Sequence, residues 1–201
     1  KPDRRQRQMC IRDSRKGDFN FLKDWGNRNN VRIEKTETFT LNDERVSSSR
    51  IRNCLTSDDF ESAKELLGRP YKFHGKVVYG QQLGRTLGVP TANLWLPRNK
   101  LPISGVYIVN VEFEKRVYGG IANMGIRPTV GGQNPVLEVH IFNFSGSLYG
   151  KKINVEFLKK IRDEKKFNGL DELKEQIFKD IAFAKQYFLS LIHISEPTRP
   201  L

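Results

Sequence analysis

Cysteine is scarce: the 201 residues hold only Cys10 and Cys54, and neither has a histidine or a second cysteine near it at metal-ligand spacing. A disulfide framework and a zinc site are both excluded, and the two read as free thiols. No apolar run approaches the roughly 20 residues needed to span a bilayer. The N-terminus opens with Arg and Gln where a signal peptide would carry an apolar core. The expectation is a cytoplasmic protein with no membrane partner. Neither the Walker phosphate loop nor the dinucleotide fingerprint occurs. Two complete large domains do not fit, because globular domains commonly run about 100–150 residues. One full domain with an incomplete neighbour does.

Hydrophobic residues at 37%, thirteen Phe and charged residues at 29% describe an ordinary globular chain with a packed core. The net charge is +12, and residues 68–188 carry +9 of it, from 19 Lys and Arg against 10 Asp and Glu. A basic balance suits an anionic ligand, but it serves a nucleotide, nucleic acid or acidic lipid alike.

The ends differ from the middle. Residues 1–14 and 189–201 have no amphipathic period and no turn logic tying them to their neighbours, and both resemble read-through of vector sequence. They are expected to be non-native tails, with natural flexible tails as the alternative. Residues 15–67 form a second region, with a strand-like Val31-Arg32-Ile33 and a polar turn at Leu41-Asn42-Asp43-Glu44. The cluster Ser47-Ser48-Ser49-Arg50-Ile51-Arg52 reads as a helix N-terminus suited to an anion. A second helix is predicted from Asp58, as cap, to Leu67, with Phe60, Ala63, Leu66 and Leu67 inward and Gly68 as its stop. Gly68-Arg69-Pro70 marks a domain boundary.

From Tyr71 the period becomes two, and short apolar runs alternate with Gly and Pro turns. Strands fit Phe73–Tyr79, Val106–Phe113, Val117–Asn123, Val136–Phe144 and Ile153–Leu158. Such spacing favours a closed barrel, since closure removes exposed edges. One long helix ends the region: Leu173, Ile177, Ile181, Ala184 and Phe188 recur at helical spacing, with Asn168 as cap and Asp171 and Glu172 in the first turn.

Four segments carry candidate chemistry. Gly80, Gly84 and Gly88, with Arg85 between them, form a loop able to approach phosphates closely or simply to cross the surface. Thr91 and Asn93 present two oxygen ligands on one side of an extended chain, suited to Mg²⁺; they also suit a plain strand start. Glu138 projects from the face opposite Leu137, Val139 and Ile141, as either a general base for a hydroxyl or an ordinary solvated carboxylate. His140 beside it reads as a half-buried histidine donating to backbone. Arg127 ends a strand in a turn, where it would contact a phosphate or a polar ring edge, or solvent.

In register, Leu67–Tyr71, Gly84–Leu94, Ser104–Tyr107, Gly120–Thr129, Leu137–His140, Leu148–Gly150 and Glu164–Phe167 resemble the riboflavin kinase family, as the C-terminal part of the bacterial bifunctional riboflavin kinase/FAD synthetase. The resemblance covers residues 68–188. It implies a mainly β fold, a six-stranded antiparallel Greek-key barrel with a C-terminal α-helix, preceded by a partial α/β nucleotidyltransferase remnant. It further implies ATP with Mg²⁺, riboflavin as acceptor and FMN as product. Thr91 and Asn93 match positions that bind the phosphates and Mg²⁺, the 80–90 loop matches a flap over ATP, Glu138 matches the base, and Arg127 falls near the flavin side. Residues 15–67 resemble the end of the adenylyltransferase module, with Ser48, Ser49, Arg50 and Arg52 in its nucleotide motif and Asp18-Phe19-Asn20-Phe21 like an earlier one. That module's His-x-Gly-His motif is missing, so FMN adenylylation is expected to be lost by truncation.

Two other classes compete. A flavin-binding barrel without catalysis would share the pocket but not the retained trio Thr91, Asn93 and Glu138. A nucleic-acid-binding barrel would need aromatics interleaved with cations, and only Phe142 and Phe144 form a close pair. No nucleic-acid partner is expected. Oligomeric state leaves no mark in the sequence.

Overall fold

The computed structural model describes residues 18–34, 37–80, 82–96, 101–129 and 132–195, with the side chains of 83, 127–129, 132–134 and 192–195 not included. The chain divides into two compact units, Lys1–Val46 and Ser47–Leu201. The expected tail at 1–14 and the last six residues of the expected tail at 189–201 lie outside the described residues.

In the first unit, helix α1 (Phe19–Arg28) starts where the Asp18 carboxylate accepts from the Phe21 N–H at 2.8 Å. The predicted strand at 31–33 does not form. A two-stranded hairpin lies instead at β1 (Thr40–Leu41) and β2 (Glu44–Arg45). Asn42 and Asp43, both at positive φ, make the tight turn that the polar segment foretold.

The second unit opens with helices α2 (Ser48–Thr56) and α3 (Phe60–Leu67). Ser47 caps α2, its hydroxyl accepting from the Arg50 N–H at 3.2 Å. The cap of α3 is Asp59, one residue later than expected. Asp58 takes a left-handed turn at φ 61° and sends its carboxylate to the Tyr107 hydroxyl (3.0 Å) and to Lys160 (2.7 Å). Gly68 ends α3 in the left-handed conformation, as predicted. The apolar face of this helix pair packs on the barrel: Phe60 meets Tyr107 edge-on at 5.7 Å and stacks on Phe157 at 6.1 Å.

The barrel is closed, six-stranded and antiparallel, with neighbours in the order β3 (Lys72–Val78), β4 (Ala92–Leu94), β7 (Gly132–Ile141), β6 (Arg116–Thr129), β5 (Gly105–Phe113) and β8 (Lys152–Arg162), which pairs back to β3. A single turn, α4 (Leu83–Thr86), interrupts the loop between β3 and β4. The interior is filled by period-two side chains: Tyr107, Val109 and Val111 from β5, Leu137 and Val139 from β7, Ile153, Val155 and Phe157 from β8. The complementary outward residues Ile108 and Ile121 build a second core with Ile181 and Ala184 of helix α5 (Leu170–Ser195).

Two expectations need correction here. Arg127 does not sit in a turn, because the β6–β7 pairing continues past it, with Arg127 opposite Asn134, to Thr129 and Gly132. The helix α5 begins after Gly169, whose carbonyl accepts the Leu173 N–H; Asn168 lies one residue further out and donates its N–H to Glu172 at 3.2 Å. The helix also runs through residues 189–195, since no proline interrupts it before Pro197.

Candidate active site

Pro90 sets an extended entry to β4, so alternation turns Ala92 and Leu94 into the barrel while Thr91 and Asn93 face outward. On β7 the same alternation buries Leu137 and Val139 and turns Glu138 and His140 outward, as predicted from the sequence. Register joins these faces. Asn93 stands opposite Glu138, Glu138 opposite Asn123, Asn123 opposite Val106, and Val106 opposite Arg162. One row therefore crosses five strands, with directly opposed Cβ atoms about 4.5–5.5 Å apart.

Helix α5 lies over this row and leaves a cavity of about 260 Å³. Its polar lining includes Thr91, Asn123, Glu138, His140, Arg162 and Glu164, with Lys165 and Asp180, and its apolar walls include Val89, Ile121, Phe167, Leu173 and Ile177. A second cavity of about 600 Å³ opens on the other side of Thr91, between Gln82 and Arg85 of the glycine loop and the segment Ser145–Tyr149. Thr91 borders both.

The glycines of the loop are required by what lies beneath them. A Cβ on Gly80 would fall on the Asn93 carboxamide, and one on Gly84 would strike the Val89 carbonyl and come within 3.3 Å of the Thr91 hydroxyl. Gly88 has φ 79°, which side chains resist. The loop is closed by its own backbone, with the Val89 N–H donating to Gly84 O at 2.7 Å. Arg85 is exposed and lines only the second cavity of the two. Arg127 lies in β6, with its side chain outside the described residues. Ser48, Ser49, Arg50 and Arg52 occupy the start of α2 and line neither cavity.

Burial sets the electrostatics. Loss of water holds the His140 imidazole below its usual pKa; its hydrogen bond to the Pro90 carbonyl opposes this and Lys185 adds to it. Burial pushes the Glu164 carboxyl up, against the pull of Arg162. Glu164 rests where a Cβ on Gly125 would be. Arg162 is held by Asp180, which is 3% exposed: Nε reaches Oδ1 at 3.1 Å and Oδ2 at 3.0 Å, and Nη2 reaches Oδ2 at 2.8 Å. Gln176 donates to the same carboxylate at 2.9 Å. The pair fixes α5 against β8 and so sets one wall of the first cavity.

Sequence reasoning did not single out Asn123, Arg162, Glu164 or Asp180. Asn123 had a usable signal, since it lies in the strand neighbouring Glu138. The Arg162–Asp180 pair joins a strand end to a helix, and no spacing announces it.

Among the described residues no three His, Cys, Asp or Glu side chains cluster to hold a metal. Of the predicted metal ligands, Thr91 borders both cavities, while Asn93 is buried at 7% exposure beneath Gly80 and lines neither; a hydroxyl and a carboxamide are hard neutral ligands that fit Mg²⁺ when waters or phosphates complete its shell.

Comparison with known proteins places these features. A family model described as riboflavin kinase matches residues 67–188. The bifunctional riboflavin kinase/FMN adenylyltransferase of Haemophilus influenzae is 46% identical over 177 residues, covering 88% of this chain and 58% of the relative. The protein of the same description from Bacillus subtilis is 44% identical over 159 residues, covering 77% of this chain and 50% of its own length. The chain spans little more than half the length of the curated relatives it matches. A crystal structure described as a macrolide-efflux protein from Streptococcus pneumoniae superposes with a TM-score of 0.67 at 34% identity, covering 86% of this chain and 56% of that one. Among the described residues no helix is long and apolar enough to cross a membrane.

Proposed function

We propose that this chain, which belongs to the riboflavin kinase family, transfers the γ-phosphate of ATP to the 5′-hydroxyl of riboflavin, giving FMN and ADP. The observation that carries the reading is that Thr91 borders two cavities, one holding Glu138 and the other bordered by the glycine loop and Arg85. A donor in the second cavity and an acceptor in the first would meet at Thr91.

Phosphoryl transfer depends mainly on positioning and charge neutralisation. In the assigned roles, Glu138 accepts the hydroxyl proton as that oxygen bonds the γ-phosphorus and the bond to the β–γ bridging oxygen breaks. Asn123, opposite Glu138, orients the carboxylate or the acceptor. The apolar walls at Val89, Ile121, Leu173 and Ile177 exclude the water that would otherwise compete as acceptor. Thr91 and Asn93 would hold Mg²⁺, which supplies screening of the donor's β- and γ-phosphate charge. The loop of Gly80, Gly84, Arg85 and Gly88 would cover those phosphates, and Arg127 would serve the flavin side. No residue becomes phosphorylated.

Residues 68–188 are then the kinase domain, and residues 15–67 the end of an adenylyltransferase-type segment carrying Ser48, Ser49, Arg50 and Arg52. The 201 residues hold no His-x-Gly-His motif, so they would make FMN without converting it to FAD. Dependence on ATP suits a cytoplasmic enzyme whose partners are small molecules. The test is to supply ATP labelled in its γ-phosphate with riboflavin and Mg²⁺: label in FMN supports the assignment, and label released only as inorganic phosphate rejects it.

A further inference from the structure

The loop between β3 and β4 ends at a point tied down from two sides. Val89 is buried with Ile108, Ile121 and Phe142 in the core beneath α5. One residue on, the Pro90 carbonyl lies 2.8 Å from Nδ1 of His140. A carbonyl oxygen carries no proton, so Nδ1 must donate and, in the neutral ring that burial favours, Nε2 is bare. Pro90 is followed directly by Thr91, the residue shared by both cavities. His140 stands two residues beyond Glu138 on the same face of β7.

We infer that His140 is a positioning residue: its Nδ1–H, by holding the Pro90 carbonyl, fixes Thr91 against the strand that carries Glu138 and so sets the distance between the phosphate-binding corner and the base. This deepens the kinase reading and rests on it. The ring transfers no proton in this role, and only a donor at the Nδ1 position is needed. Asparagine can place an N–H there, whereas glutamine reaches the Nε2 position and leucine offers no donor.

His140→Asn, His140→Gln and His140→Leu separate the possibilities. In the assay, His140→Asn should stay within about threefold of the parent, while the other two should raise the KM for Mg-ATP by about tenfold, the scale of one lost hydrogen bond, with a smaller change in kcat. Amide hydrogen exchange, which needs no activity, should quicken in peptides spanning 84–92 of the Gln and Leu variants but not of the Asn variant, with residues 105–113 unchanged. If Asn is as damaging as Gln, or if neither Gln nor Leu alters KM or exchange, the positioning role is wrong. A parent protein that makes no FMN would overturn the kinase reading, and the exchange contrast would still decide whether His140 holds the loop. Should the Leu variant not fold, Asn against Gln suffices.

Discussion

Asn93 on β4 and Glu138 on β7 stand directly opposite one another in the antiparallel register. The proposed metal ligand and the proposed base are therefore separated by one strand spacing, about 4.7–4.9 Å, and the barrel's hydrogen-bond ladder holds that separation rather than a flexible loop.

Replacement of Glu138 by Gln keeps the size of the side chain and removes its capacity to take a proton. Turnover should fall by about 10²–10⁴-fold, the range of general base catalysis, with Mg-ATP binding unchanged by calorimetry. A variant that turned over at the parent rate would assign the proton to another group.

Gly80 and Asn93 should be coupled. Gly80 is outside the left-handed region, so alanine there costs nothing in backbone strain; its methyl group would instead displace the Asn93 carboxamide. Gly80→Ala should weaken Mg-ATP binding and cost about 1–3 kcal/mol of stability from overpacking. In Gly80→Ala/Asn93→Ala the methyl group has room, so the double variant should be less destabilised than the two single effects added. Strict additivity in denaturant titrations would mean that the two do not touch.

Most of the barrel is legible because apolar residues recur at period two along β7 and most of β8 while glycines and prolines punctuate the chain; the alternation that buries Leu137 and Val139 also reveals Glu138 on the other face. What escaped depends on partners remote in the chain. Strand β4 is three residues long and exists because Asn93 and Leu94 find Glu138 and Leu137, more than forty positions away. Asp58 and Asp59 suit a helix cap equally well locally, and only Tyr107 and Lys160, remote in the chain, draw Asp58 away from that role. Arg127 sits between Gly125 and Pro128, yet ladder pairing with β7 carries the strand past both.

The helix pair α2–α3 is expected to stabilise the barrel. Phe60 is 6% exposed and contacts Tyr107 and Phe157, so Phe60→Ala should lower the unfolding free energy by about 3–5 kcal/mol. An unchanged midpoint in urea would show that the pair is not part of the folded unit.

His140 gives a pH signature. Its folded pKa lies below the ordinary imidazole value of about 6.5 because burial disfavours the imidazolium, so the unfolded chain binds the proton more readily. Its contribution to stability is complete above the unfolded value and is lost as the pH falls through 6.5 toward the folded value. Glu164 titrates in both proteins and cancels in the difference. The stability of the parent relative to His140→Asn should therefore decline as the pH falls from about 7.5 to about 5. A difference independent of pH would show an unperturbed histidine.

The most direct test of the account is to count products when the folded chain is given riboflavin, ATP and Mg²⁺. It predicts FMN and ADP formed one for one, no FAD, and collapse of both products on omitting Mg²⁺. Folded protein that binds both substrates yet leaves riboflavin unphosphorylated would contradict it.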